Sequence, residues 1–168
     1  MPRPRKEEID LTVGPGYRPA DEHLMHLQFG RSFLAGPHAD DEIIALRLYV
    51  RETDEALVAR VWFGPGAQGP PGHAHGGSIA AVLDETLGSA CWVAGYPVVA
   101  AELNTRFRKM LPLERIVTAE AWVERVDGRK IHPRGRIVDD DGTVYADATG
   151  LFIALESETF AAFGRQGK

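Results

Sequence analysis

Gly69-Pro70-Pro71-Gly72-His73-Ala74-His75-Gly76-Gly77-Ser78-Ile79-Ala80-Ala81-Val82-Leu83-Asp84-Glu85 is the stretch that decides the fold. Its two prolines forbid regular ladder pairing and stiffen the approach to His75. From Gly76 to Ala94 the pattern turns helical: Ile79, Leu83, Leu87, Ala90 and Ala94 recur at helical steps, and Val82 and Val93 widen the stripe. This helix is apolar nearly all round, so burial on most sides is expected. Gly95-Tyr96-Pro97 stops it.

The flanks of the helix read as β. Residues 43–50 and 56–63 are apolar runs joined by Arg51-Glu52-Thr53-Asp54-Glu55, a hairpin turn. Downstream, residues 98–108 alternate, with Leu103, Thr105 and Phe107 on one side and Asn104, Arg106 and Arg108 on the other. Residues 116–126, 129–138 and 143–155 are further strands, and Asp127-Gly128 and Asp141-Gly142 are hairpin signals. Two strands, one buried helix and four more strands predict an α+β architecture in which a curved antiparallel sheet of five to six strands wraps one long central helix. No second long helix covers the rest of the sheet, so pairing between chains is expected. Residues 1–40 read as a partly irregular extension with one short helix near 21–29. Residues 41–157 read as the domain and 158–168 as a tail.

Composition sets the bounds. The 168 residues suit one domain with a real core, at 44% hydrophobic and 26% charged residues. A net charge of −5 argues against a nucleic-acid partner. The one cysteine, Cys91, allows no intrachain disulfide, and no run reaches the ~18 apolar residues of a membrane span. The basic start has no apolar segment behind it, so a cytoplasmic protein without membrane partner is expected.

The chemistry centres on the helix. A free N-terminus at Gly76-Gly77 offers backbone N–H groups for a developing oxyanion. Asp84 lies inside the helix among Gly77, Ala80, Ala81, Gly88 and Cys91, a small-residue face with room for substrate or a partner backbone. Eight residues separate Gly76 from Asp84, roughly 12 Å along the axis. A carboxylate cannot span that gap, so the two cooperate across a subunit boundary or not at all. Glu85, on the face of Ser78, Val82, Ser89 and Trp92, is the rival carboxylate. His73 and His75 form a His-x-His pair, but the other four histidines form no spaced cluster with them. No metal and no cofactor are therefore expected, and His75 is read as orienting the turn into the helix. Gln68 stands ahead of the prolines, within reach of an acyl carbonyl or the helix entry. Ser78 lacks a Gly-x-Ser-x-Gly elbow, which excludes a serine hydrolase of that type. Arg106, Arg108 and Lys109 at one strand end, and Arg125, Arg129, Lys130, Arg134 and Arg136 in the next hairpin, are either edge charges or phosphate contacts.

These residues resemble a family. Gln68-Gly69-Pro70-Pro71-Gly72, His75-Gly76-Gly77 and Leu83-Asp84-Glu85 are similar to hotdog-fold acyl-CoA thioesterases of the phenylacetate-degradation type, relatives of 4-hydroxybenzoyl-CoA thioesterase. So are Ala101-Glu102-Leu103-Asn104, Phe107-Arg108-Lys109-Met110-Leu111-Pro112 and Val126-Asp127-Gly128-Arg129-Lys130. The resemblance spans roughly residues 29–155. It implies protomers joined edge to edge into a homodimer or homotetramer, with sites at the dimer interface. It further implies that the Gly76 N–H polarises a thioester carbonyl and that Asp84 of the other subunit is general base or nucleophile. Gln68 and His75 would shape the site, while Ser78, Glu85, Arg106 and Arg108 would contact an acyl-CoA substrate. Two departures stand out: Ala100 replaces the Thr or Ser of many relatives, and Leu27-Gln28-Phe29-Gly30-Arg31 replaces a Cys- or Asn-containing segment. Thr105 is a candidate for a related part. Two other functions fit less of the pattern: a non-catalytic acyl-CoA binder, and an acyl-thioester hydratase or dehydratase using a His–carboxylate pair.

Overall fold

A computed structural model describes residues 8–24, 33–34 and 42–166. The elements are β1 (Tyr17–Pro19), β2 (Ile44–Arg51), β3 (Leu57–Phe63), α1 (Gly76–Val93), β4 (Val98–Phe107), β5 (Ile116–Asp127), β6 (Lys130–Val138), β7 (Val144–Ala154) and α2 (Ser157–Gln166). The strands form one antiparallel sheet in the order β1-β2-β3-β5-β6-β7-β4. Its seven strands among the described residues exceed the five to six expected. The addition is β1, three residues from the N-terminal segment that pair with Tyr49–Arg51. So short a strand carries no alternating pattern to read. The expected short helix near residues 21–29 is a single 3-10 turn at Asp21–His23 within the described residues. Leu27–Arg31 lies outside them, as do His26 and His38.

Helix α1 begins and ends where local chemistry says it should. His75, extended at φ −65° and ψ 139°, is the N-cap, and its Nδ1 accepts the Gly77 N–H at 2.9 Å. At the other end Gly95 adopts φ 92°, the Gly95 N–H donates to Trp92 O and the Tyr96 N–H to Cys91 O. That paired closure needs a left-handed residue, which glycine supplies without a Cβ clash. One side of α1 presses Ile79, Val82, Leu83, Leu87, Ala90 and Cys91 into the sheet. Each large apolar side chain so buried stabilises the fold by ~1.5–3 kcal/mol. The receiving sheet face carries Val61, Val117, Ala119, Ala121, Ile131, Ile137, Ala146, Ala148 and Phe152. Alternation along the strands sets this inner face against an outer one.

The outer face is covered differently. Over β2 and β3, Leu11 packs with Ala45 and Trp62, and the Tyr49 hydroxyl donates to Leu11 O at 2.9 Å. Farther along, Glu120 is only 7% exposed and receives Arg51 at 2.8 Å and Arg136 at 2.6 Å. Burial pushes the Glu120 carboxyl up, but the two guanidinium groups outweigh it and hold the net value below the usual carboxylate range. A depressed folded-state pKa adds stability above the ordinary carboxylate range, and that stability is lost as pH falls through the lowered value. Glu120→Ala should therefore destabilise the fold at neutral pH by ~1–3 kcal/mol, because it leaves two cations facing each other over an apolar patch. Urea melts at pH 7 and in strong acid check this: the gap between wild type and variant should shrink as the acid is approached.

Candidate functional site

The loop before α1 is built to present His75 and Gly76. Gln68 and Ala74 form a bridge across it, the Gly69 N–H donates to His73 O at 2.9 Å, and Gln68 Oε1 accepts the Gly72 N–H at 3.0 Å. A Cβ at Gly69 would stand 2.8 Å from His75 Cα, so only glycine lets the two ends of the loop approach. The His75 N–H in turn donates to Ala67 O at 2.7 Å. These bonds fix where the helix begins.

The first-turn amides are not equivalent. His75 Nδ1 takes the Gly77 N–H, and the Ser78 and Ile79 N–H groups donate to His75 O at 3.0 and 3.2 Å. The Gly76 N–H has no acceptor among the described residues. Of the Gly76-Gly77 pair expected to hold an oxyanion, then, one amide is committed to the cap and one is open. With Nδ1 occupied as an acceptor, Nε2 is the ring nitrogen left to donate. Ser78 is similarly turned inward, its hydroxyl donating to His75 O at 2.7 Å. His73 directs Nδ1 to Pro71 O at 2.9 Å.

Beside this turn a groove of about 270 Å³ runs along the open side of α1. Phe33, Ile43, Ile44, Ala67 and Ala81 form its apolar walls, and Gln68, His75, Gly77 and Ser78 its polar end. The structure thus brings Gln68, His75, Gly77 and Ser78 together. Asp84 lies farther along α1, on the exposed stripe that also carries Gly77. It makes no hydrogen bond or ion pair among the described residues. Partial burial beside its small neighbours, and then the negative charge of Glu85, raise its carboxyl above the ordinary range. The side chain still reaches solvent. Glu85 is half-buried next to it. Cys91, at the core side of α1, is pushed up to about 12 by burial and is inert as a thiol nucleophile.

The arginines are elsewhere. The register sets Arg106 opposite Asp147, on the outer sheet face and across the sheet from α1. Arg108 donates Nε to Asp147 Oδ2 at 2.5 Å. Of the next hairpin, Arg125 reaches His132, Arg129 reaches Glu156, Arg134 reaches Glu124 and Arg136 reaches Glu120. A second hollow of about 270 Å³ opens on the outer side, lined by Glu102, Glu124, Arg125, His132 and Thr149. Within one chain neither Arg106 nor Arg108 shares a surface with the Gly76 groove.

The surroundings of two residues on β4 escaped the sequence. Phe107, 56% exposed, lays its ring against Gly76, where an added Cβ would meet Cζ at 3.2 Å. Thr105 Oγ1, on the same face of β4, is enclosed without a hydrogen-bond partner among the described residues. The alternation of 98–108 placed both on one side, but nothing in it showed that this side meets the helix start.

One long helix held in a curled antiparallel sheet, with a glycine start and a carboxylate two turns in, defines the hotdog class of protein. Residues 71–146 match the family model described as the thioesterase superfamily. It is similar to the acyl-coenzyme A thioesterase THEM4 of Mus musculus, at 32% identity over 149 residues, 88% of this chain and 62% of that protein. It is 36% identical to the human acyl-coenzyme A thioesterase THEM5 over 104 residues, 57% of this chain and 40% of that protein. The chain thus spans between two fifths and two thirds of the length of these relatives. Among solved structures, a thioesterase superfamily protein at 36% identity superposes with a TM-score of 0.61, over 65% of this chain and 53% of the other.

Proposed function

We propose that the protein hydrolyses an acyl-CoA thioester to the free acid and CoA. The observation that carries this is the open Gly76 amide at the start of α1, beside an apolar groove and on the helix that bears an unpaired Asp84. The thioester oxygen rests on the Gly76 N–H, where the positive end of the helix stabilises the charge that develops on attack. The acyl group lies in the groove, away from bulk water. Asp84, held by its surroundings closer to neutral pH than an ordinary carboxylate, takes the proton of the attacking water or attacks the carbonyl itself.

Asp84 of the same chain is roughly 12 Å along the helix from Gly76. The reading therefore includes a homodimer in which each carboxylate serves its neighbour's Gly76. Two observations support it. Among the described residues strand β4 pairs only with β7, and its other edge is open over ten residues, most of them exposed, including Val99 at 48%. So long an open edge is a ready template for a second copy of itself. The small-residue stripe bearing Asp84 is the side of α1 that the sheet leaves bare. A paired β4 edge would also place Arg106 and Arg108 close to a neighbouring chain, the setting in which they would meet the phosphates of CoA.

The test is thiol release from a panel of acyl-CoAs, from short aliphatic to long-chain and aryl. Release from at least one is expected; binding without release from any would make the protein an acyl-CoA binder instead. His75 separates capping from chemistry. Asn is a strong N-cap, so His75→Asn should hold the melting temperature close to wild type while removing the Nε2–H donor from the groove. A fall of about tenfold in kcat/KM is expected. His75→Ala should in addition lose ~1 kcal/mol of stability.

A further inference from the structure

Phe33 is 80% exposed, more than any other large apolar side chain among the described residues. Its neighbour Leu34 is the opposite case, 4% exposed and packed in the main core. Consecutive Cα atoms stand only about 3.8 Å apart, so the anchored leucine holds the Phe33 backbone in place. The ring therefore stands free of the core at a fixed point, and that point is the rim of the groove beside the helix start. Ile44 and Ala67, both buried, form the floor of this groove, and Ile43 and Ala81 flank it. Phe33 is the bulkiest apolar side chain on it.

A phenyl ring left in water beside an apolar groove gains from being covered, in proportion to the area removed from water. Three observations select what covers it. The groove runs to the polar end formed by Gln68, His75, Gly77 and Ser78, so an apolar chain that reaches Phe33 has its polar head at the helix start. No Asp, Glu, Lys or Arg lines the groove, so a charged chain finds no partner there among the described residues. Its about 270 Å³ admits about nine non-hydrogen atoms, at the roughly 30 Å³ that each takes with its hydrogens in a liquid such as water. A protein segment is too large an occupant, because a specific contact between chains buries upward of ~1,000 Å².

We infer that Phe33 is the specificity-determining wall of the acyl site: its ring lies against the acyl chain and selects apolar acyl groups of up to about nine non-hydrogen atoms. This assignment rests on the thioesterase reading, which brings the acyl chain to the groove. The ring takes no part in bond making. It contacts the chain equally before and during reaction, so its contribution is read in KM and leaves kcat little changed. Each methylene buried between the ring and the floor should raise kcat/KM about threefold to fourfold.

The test uses the full chain, straight-chain acyl-CoAs from acetyl to palmitoyl, and methylene-ketone analogues of the acetyl and octanoyl members, in which CH2 replaces the sulfur. Wild-type kcat/KM should climb from acetyl to octanoyl and level off beyond. Phe33→Ala should melt as wild type does, since so exposed a ring supports little of the fold. It should lower kcat/KM for octanoyl-CoA about tenfold through KM, weaken binding of the octanoyl analogue by a similar factor, and leave the acetyl members within about twofold. Phe33→Leu should restore most of both. A Phe33→Ala variant that leaves the octanoyl members unchanged, or that weakens every acyl group by the same factor, overturns the proposal. The second result together with weaker self-association in sedimentation would make Phe33 a contact between copies of the chain. If the octanoyl members are unchanged while Asp84→Asn still abolishes hydrolysis, the thioesterase reading stands and Phe33 alone is ruled out. If wild type binds the analogues but releases no thiol, the thioesterase reading falls and the analogue affinities alone decide Phe33. If it neither binds an analogue nor releases thiol, both fail together.

Discussion

Asp84→Asn is expected to lower thiol release by at least ~10³-fold while leaving the fold intact, with acyl-CoA binding close to wild type. The amide is isosteric with the carboxylate but can neither accept a proton from water nor attack a carbonyl. Nothing in the fold depends on the charge, since Asp84 makes no bond or ion pair among the described residues. The pH dependence follows from the raised carboxyl. A folded-state pKa above the unfolded one favours the protonated form in the native state. Asp84 therefore adds stability in acid, and that contribution is lost as pH rises through the raised value. Asp84→Asn should thus be at least as stable as wild type at neutral pH and lose that advantage in acid. The same shift moves the acid limb of kcat/KM above the ordinary carboxylate range. A limb at the usual carboxylate position, or a variant that keeps full turnover, would remove Asp84 from the reaction.

Gly76→Pro should be nearly as damaging. Proline at the first helical position lacks only an N–H that the helix does not use, and the extended His75 is compatible with a following proline. The substitution deletes the one open amide of the turn at small structural cost. The new ring presses toward Phe107, which is exposed enough to give way. A loss of ~10²–10³ in kcat is expected, whereas Gly76→Ala, which keeps the N–H, should lose far less. The pair of variants also tests the route between subunits. If Gly76 of one chain works with Asp84 of the other, mixing Gly76→Pro and Asp84→Asn chains regenerates one intact site per mixed dimer, and about a quarter of wild-type activity returns. If both groups act within one chain, mixing restores nothing.

Helix α1 was legible because its signals are local. The His75-Gly76-Gly77 start, the apolar spacing of Ile79, Leu83 and Leu87, and the Gly95 stop all act within a few residues of one another. The strands from β2 to β7 were legible for the same reason, with Gly128 and Gly142 in the left-handed conformations that their hairpins require. What the sequence by itself determined is therefore the run of elements and the separation of Gly76 from Asp84, which leaves the two to cooperate across a subunit boundary or not at all. Only the tertiary structure decided which amide is open, because that depends on where the His75 ring points. It alone set Arg106 and Arg108 on the face away from α1, since strand alternation gives two sides but not which side receives the helix. The joining of β1 to β2, and the meeting of Phe107 with Gly76, were likewise settled by contacts between residues distant in the chain. Such contacts leave no periodic trace in the sequence, because each follows from how whole elements pack.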